Sequence, residues 1–283
     1  MSAGPAAQPL AWQDLTSPDI DALDRDRTVV VLPCGSVEQH GRHMPLGTDT
    51  VLAAAVARGA AARLAGRVPV VLLPPPWYGF SSHHMGFPGT VTLRSETYMA
   101  LVKDIARSVL AHGFRRLALV NGHGGNVSIL DVIGADLGHE WHGRARVASV
   151  TYFALVADRA GEFRESAPGG MGHAGEFETS LMLHLAADTV RGERGVTHYP
   201  DTGTAYLTTD LFGAPRARAW IDFGDLSPTG TFGDPGLASA EKGGRIFEIC
   251  TRALADFLAD FAGWPMRPGG GGATRGEDKG TGR

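Results

Sequence analysis

The sequence predicts an α/β fold in which a largely parallel sheet is covered by helices on both faces. Short β-branched runs alternate with longer runs of strong helix formers between about residues 28 and 155, and this alternation is typical of strand–helix–strand units. Each of the first three predicted strands also runs into a loop that carries histidine. Because such loops share one edge of a parallel sheet, the same pattern predicts where ligands bind.

The first part of the predicted domain contains two strands and one helix. The β-branched run 28–32 predicts a buried strand, and the run 68–73 predicts a second one. Between them, the alanine-rich run that starts at Thr50 predicts a helix ending near Gly66. The segment 74–90 is too long and too aromatic for a tight turn, so we expect a functional loop there.

The remaining elements follow from the same criteria. A short helical or capping segment is predicted over 12–23, before the first strand. Further strands are predicted over 116–120 and 144–155. Helices are predicted over 95–112, 127–137, 176–185 and 238–261. Residues 190–235 show no regular pattern. We expect a loose N-terminus over 1–10, a single domain over 11–264 and a disordered low-complexity tail over 265–283.

Composition excludes several classes of protein. The 283 residues are 43% hydrophobic and carry a formal net charge of −4, which suits a globular domain and gives no basic surface for nucleic acid or an anionic membrane. No apolar run is long enough to span a bilayer and no signal-peptide pattern opens the chain, so a cytoplasmic location is predicted. With only Cys34 and Cys250, a disulfide framework is improbable and a four-cysteine zinc site is excluded.

Metal-binding side chains are concentrated after the first strand. Glu38, His40, His43 and Asp49 follow it within a segment rich in glycine and proline. Carboxylate oxygens and imidazole nitrogens are ligands for zinc, manganese and ferrous iron, whereas a polar loop with an incidental histidine is the alternative. His83 and His84 follow the second predicted strand and His123 follows the third, so all three are predicted at the same edge of the sheet. Their position there favours a metal site over an incidental polar loop.

The predicted helix 176–185 carries two acids in different surroundings. Glu178 shares a helical face with apolar residues such as Leu181, whereas Glu176 shares its face with polar residues. A buried carboxylate needs a cation or a hydrogen-bond network, so Glu178 is predicted to meet one. Glu176 is interpreted as an exposed acid that the helix dipole favours.

Several motifs together resemble the creatininase family of metal-dependent amidohydrolases: Glu38-x-His40, Asp49, the Asn-Gly-His123-Gly-Gly-Asn turn, and His173-Ala-Gly-x-x-Glu178-Thr-Ser. The resemblance covers about residues 28–189 and continues more weakly through 229–235 and 241–243. It implies a three-layer α/β/α sandwich with a mainly parallel central sheet and a two-metal site at the carboxyl edge of that sheet. It also implies a homo-oligomer, with a hexamer favoured.

The resemblance further implies which residues bind metal. Asp49 is expected to bridge two divalent ions. In creatininase itself a metal-binding acid stands two positions after the turn histidine, where this chain has Gly125. Family members that lack this acid use the glutamate of the His-Ala-Gly-x-x-Glu-Thr-Ser motif, so the resemblance implies that Glu178 takes its place. The helical-face argument selects the same residue. Glu38 and His123 are expected to bind one ion and His40 the other. Asp49 is the expected bridge between them, and Glu178 is the remaining expected ligand.

A catalytic group and substrate contacts are also predicted. His173 matches the family's acid/base histidine, and an imidazole that titrates near neutral pH can pass a proton to a leaving nitrogen. Substrate contacts are predicted in the second loop, the segment 74–90, at Trp77, Tyr78, Ser82 and His84. For the aromatic residues Trp77 and Tyr78, packing or a subunit interface is the alternative.

These predictions describe a metal-dependent hydrolase that cleaves a non-peptide C–N amide bond with a metal-activated bridging water. The substrate is expected to be a small molecule with a cyclic amide, lactam or formamide group, and the cofactors two divalent ions of zinc, manganese or iron. A peptidase that trims a small modified precursor peptide, as in mycofactocin maturation, is the alternative within the family. Outside it, a non-catalytic metal-binding protein on the same fold and an enzyme with Cys34 as nucleophile are the alternatives.

Overall fold

The central sheet of the protein is entirely parallel over the part of the chain that the computed structural model describes, residues 10–266. Within that range five strands lie in the order β1-β3-β2-β4-β5. Their bounds are β1 (Leu10–Ala11), β2 (Val29–Cys34), β3 (Val70–Leu72), β4 (Arg116–Asn121) and β5 (Arg146–Thr151). The predicted parallel α/β architecture is therefore confirmed.

Helices cover both faces of this sheet. Their bounds are α1 (Ser17–Asp21), α2 (Thr48–Arg63), α3 (Ser95–Ala111), α4 (Val127–Glu140), α5 (Glu176–Leu185), α6 (Phe223–Leu226) and α7 (Ala240–Ala262). Every residue of β2 is buried, and its side chains alternate between two apolar cores. Val29 and Val31 join the core formed with α2, α5 and α7, whereas Val30 and Leu32 join the core formed with α3 and α4. This alternation makes the fold an α/β/α sandwich.

Several element boundaries differ from the predicted ones by a few residues, and two of these differences concern elements next to the site. The helix α2 begins at Thr48 rather than Thr50, because the Thr48 hydroxyl donates to the Pro45 carbonyl oxygen at 2.7 Å and starts the first turn early. This places Asp49 in the first turn of α2, where the helix dipole favours an anion. The strand predicted over 144–155 ends at Thr151, and short 3₁₀ turns over 154–162 follow it.

The predicted position of Glu176 is wrong. Glu176 is buried and its carboxylate pairs with the ammonium group of Lys242 from α7, which is also buried. The same carboxylate accepts hydrogen bonds from the backbone N–H groups of Glu165 at 3.0 Å and Ser166 at 2.9 Å. Burial opposes its ionisation, but Lys242 and these hydrogen bonds hold the pKa of Glu176 below its usual value.

The predicted loose N-terminus and disordered tail lie outside the described residues, apart from Leu10, which begins β1, and 265–266. Between residues 10 and 266, no helix combines the length and the apolar character needed to cross a membrane.

Candidate metal centre

The expected metal ligands come together at the carboxyl edge of the sheet. The loop after β2 carries two of them, the first turn of α2 a third, the loop after β4 a fourth, and the first turn of α5 a fifth. All five side chains are buried: Glu38, His40, Asp49, His123 and Glu178. Strands β2 and β4 are direct neighbours, which explains why residues so distant in sequence meet here.

Asp49 lies at the middle of this cluster. Its Oδ1 is 2.9 Å from His40 Nε2, and its Oδ2 is 3.0 Å from His123 Nδ1. Glu38 Oε2 also lies 3.1 Å from His123 Nδ1. On the other side, Glu178 Oε2 is 4.0 Å from His40 Nε2. Asp49 therefore stands between two groups of ligating atoms, which suits a bridging carboxylate.

Backbone carbonyls orient the two imidazoles of the cluster. The outer nitrogen of His40, Nδ1, lies 3.2 Å from the Glu38 carbonyl oxygen, and the outer nitrogen of His123, Nε2, lies 3.0 Å from the Phe80 carbonyl oxygen. If the outer nitrogens donate to these acceptors, the inner nitrogens carry lone pairs that face the carboxylates. This arrangement is typical of histidines that bind metal.

The imidazoles of the cluster compensate the negative charge of its three carboxylates only partly. Burial raises the pKa of Glu38, and burial raises the pKa of Glu178 to about 7. Burial opposes the ionisation of Asp49, but His40 and His123 hold its pKa below the usual value. Burial likewise opposes protonation of His40, but Asp49 raises its pKa to about 9. Three carboxylates thus compete for the same imidazoles, and a bound cation would relieve that competition.

The residues fit divalent metal ions. Asp49 Oδ2 is buried and, within residues 10–266, makes no hydrogen bond of acceptable geometry, although His123 Nδ1 is close. A buried carboxylate oxygen without a hydrogen bond is costly unless a cation binds it. Among residues 10–266, three overlapping groups of side chains each place their ligating atoms within 4.8 Å of one another: Glu38–His40–Asp49, His40–His173–Glu178 and Glu38–His84–His173. Mixed oxygen and nitrogen donors suit zinc, manganese and iron.

His173 and His84 flank the cluster, and Gln39 connects them. The Gln39 side-chain amide nitrogen lies 2.9 Å from His84 Nδ1 and 3.1 Å from His173 Nε2. His173 Nε2 also lies 2.6 Å from the Gln39 carbonyl oxygen, whereas its Nδ1 lies 3.7 Å from Glu38 Oε1. Burial holds the pKa of both histidines well below the usual value, so both are neutral near pH 7. The expectation that His173 titrates near neutral pH is therefore wrong for the protein without metal.

A cavity of about 620 Å³ opens onto the cluster. His84 and His173 line it, together with ligating residues of the cluster. Trp77 and Tyr78 do not; they are 52% and 46% exposed, so the structure does not bring these predicted substrate contacts to the site. Ser82 lies at the margin, where its hydroxyl accepts a hydrogen bond from Trp220 Nε1 at 3.2 Å.

Three residues near the site were missed by the sequence analysis. Ser81 is buried, with its hydroxyl 2.5 Å from Glu38 Oε2 and 3.1 Å from His123 Nε2. Gln39 holds the two flanking histidines, and Phe223 lies against them with ring centroids 4.2 Å from His84 and 5.4 Å from His173. The position of Gln39 between Glu38 and His40 was the one signal in the sequence that could have found it.

The loop after β4 leaves no space for an acid at position 125. A Cβ atom on Gly125 would lie 2.3 Å from the Phe80 carbonyl oxygen and 2.4 Å from His123 Nε2. By contrast, a Cβ atom on Gly124 would meet no atom within 4 Å. The local packing that orients His123 is therefore incompatible with any side chain at position 125.

Comparisons with known proteins identify the family of the chain. A model of the creatininase family, described as creatinine amidohydrolase, matches residues 13–258. Creatinine amidohydrolase of Pseudomonas putida is 35% identical over 245 residues, which are 82% of this chain and 89% of that protein. Mycofactocin precursor peptide peptidase of Mycobacterium ulcerans is 35% identical over 246 residues, 85% of this chain and 87% of that protein. A solved structure described as creatininase with Mn superposes with a TM-score of 0.74 at 31% identity, covering 89% of this chain and 98% of that one.

Proposed function

The chain belongs to the creatininase family, and on that premise we propose that it is a hydrolase that uses two divalent metal ions to cleave a C–N amide bond in a non-peptide small molecule. The observation that carries this proposal is the buried cluster of five ligating side chains around Asp49, with one Asp49 oxygen lacking a hydrogen bond. A cyclic amide, a lactam or a formamide is the proposed substrate. Zinc, manganese and iron are the proposed metals.

The protein's own residues divide the work. Glu38, Asp49 and His123 would hold one ion, and His40, Asp49 and Glu178 the other. When bound, divalent ions supply Lewis acidity that acidifies a water molecule and polarises the amide carbonyl. His173 lines the cavity as a neutral imidazole with Nδ1 directed toward Glu38. At that place it can accept a proton from water and pass it to the leaving nitrogen.

The first experiment is elemental analysis of protein purified without chelator, together with hydrolysis of creatinine, lactams, formamides and short peptides. We expect nearly two divalent ions per chain, and amide turnover that chelation removes and added metal restores. Absence of stoichiometric metal, with activity that thiol alkylation abolishes, would move the reaction to Cys34 and refute the proposal.

The assignment of Glu178 has a matched control. Glu178→Gln removes a charged ligand but keeps the size of the side chain, so we expect a clear loss of bound metal and of most turnover. Glu162→Gln makes the same chemical change at an exposed carboxylate that pairs with Arg159. The control should retain the metal content of the unmodified protein; equal metal content in both variants would refute Glu178 as a ligand.

A peptidase is the second candidate, because one relative named for that activity is as similar to this chain as the creatinine amidohydrolase. Hydrolysis of the substrate panel distinguishes the peptidase from the hydrolase of non-peptide amides. If the metal-loaded protein cleaves short peptides and leaves lactams and formamides intact, the peptidase function replaces the non-peptide one. A non-catalytic metal-binding protein predicts the remaining outcome, bound metal without hydrolysis of any member of the panel.

We also propose that the protein is a cytoplasmic homo-oligomer, with a hexamer favoured. Trp77, Tyr78, Met85 and Val91 are exposed large apolar residues within the single segment 77–91, and such exposed apolar side chains favour a protein interface. This supports the subunit-interface interpretation of Trp77 and Tyr78. Sedimentation of the unmodified protein and of Trp77→Ala tests it: we expect a single oligomer that the substitution weakens.

A further inference from the structure

One wall of the metal cavity is apolar and consists partly of a segment that we call the strap, residues 220–226. The strap crosses the second loop and ends in the short helix α6. Trp220 Nε1 donates to Ser82 Oγ at 3.2 Å, and the Leu226 carbonyl oxygen lies 2.8 Å from His198 Nε2. Each end of the strap is therefore held by a hydrogen bond to another segment of the chain.

Phe223 joins the strap to the reaction centre. Its ring centroid is 4.2 Å from that of His84, 4.9 Å from that of His83 and 5.4 Å from that of His173. The Phe223 ring also stacks on that of Phe232, with ring centroids 4.1 Å apart. An apolar surface thus begins directly at the histidines that flank the metal cluster.

Further apolar residues line the same cavity, which also has polar and charged residues such as Asp210 and Arg218 in its lining. Trp220 lines the cavity although it is 63% exposed, so much of its indole ring is apolar surface without a covering group. Large apolar side chains from several segments share the lining with it: Phe153, Leu211, Phe212, Ile221 and Phe232. A cavity of about 620 Å³ is within the range that accommodates drug-sized ligands. A compact polar substrate would leave most of these aromatic groups uncovered.

We propose that the strap forms an apolar substrate subsite beside the metal cluster, and that the substrate is an amide carrying a bulky apolar group of about the size of a phenyl ring. The inference rests on the proposed hydrolase function and specifies its substrate class. Burial of such a group against Trp220 and Phe223 removes apolar surface from water and places the amide beside the histidines.

The test compares three amides with the metal-loaded enzyme: acetamide, phenylacetamide, and N-benzylacetamide, which carries the ring on the amine side. We expect kcat/KM for at least one of the aryl amides to exceed that for acetamide by ~10–100-fold, because burying a phenyl group contributes on this scale. Equal kcat/KM values for all three substrates would overturn the proposal.

Variants of Trp220 separate the subsite from the catalytic machinery. Trp220→Ala should reduce the advantage of the aryl amide at least about threefold, mainly through KM, while Trp220→Phe preserves it. A uniform decrease for all three amides would contradict a role in specificity. If none of these three amides is hydrolysed, the hydrolase function is judged by the panel of creatinine, lactams, formamides and short peptides, and calorimetric binding decides on the subsite. Saturable binding of phenylacetamide but not acetamide, weakened in Trp220→Ala, supports it, and absence of that binding overturns it.

Discussion

Replacing Lys242 by Met should destabilise the protein strongly. The Lys242 ammonium group is buried, pairs with the Glu176 carboxylate, and donates to the Leu237 carbonyl oxygen at 2.7 Å. Methionine keeps the length of the side chain but removes the charge, so the Glu176 carboxylate loses its buried partner. Its two remaining hydrogen bonds come from backbone N–H groups and compensate only part of the loss. Breaking one side of a buried ion pair costs about 3–5 kcal/mol, and we expect a decrease of that size.

Urea unfolding measures this decrease, and Lys103 provides the matched control. Lys103 pairs with Asp136, whose side chain is 53% exposed, so its partner remains solvated after Lys103→Met. The same chemical change there should cost less than about 1 kcal/mol. The double variant Glu176→Gln/Lys242→Met removes both charges and should recover a substantial part of the stability. The reasoning is refuted if Lys242→Met and Lys103→Met lower the free energy of unfolding equally.

Two further predictions concern the cluster and the cysteines. Gly125→Ala should displace His123 or the Phe80 carbonyl and lower the amount of bound metal measured by elemental analysis. The control Gly124→Ala, whose Cβ meets no atom within 4 Å, should retain the bound metal. Equal metal content in both variants would contradict the packing argument. Native protein treated with iodoacetamide at about pH 8 should remain unlabelled at Cys34 and Cys250, because burial raises the pKa of both thiols to about 12. Mass spectrometry checks this, and rapid labelling of Cys34 would revive it as a nucleophile.

The sequence predicted those parts of the site that depend on the repeating pattern of the fold. Glu38, His40 and His123 follow predicted parallel strands, so their convergence followed from topology alone. Glu178 followed from the face that it shares with apolar residues of α5. The roles of these residues as ligands stay predictions until metal is measured.

Residues whose positions depend on contacts between distant segments were missed or misplaced. Phe223 belongs to an irregular stretch without periodicity, so nothing in its neighbourhood indicated that it packs on His84 and His173. Glu176 was assigned to the surface because the helical-face argument considers one helix alone. Its partner Lys242 lies 66 residues further along the chain, and the ion pair overrides the local pattern.

The ion pair and the candidate metal centre share the first turn of α5, because Glu176 and Glu178 both lie there. The loop after β4 has no space for an acid at position 125, and the proposed fifth ligand, Glu178, lies instead in the first turn of α5. Glu176 fixes the start of α5, and through Ser166 it also fixes the segment that leads to His173. We therefore expect Lys242→Met to lose more metal than Lys103→Met under native conditions, because the fifth ligand depends on an anchor that lies outside the metal cluster.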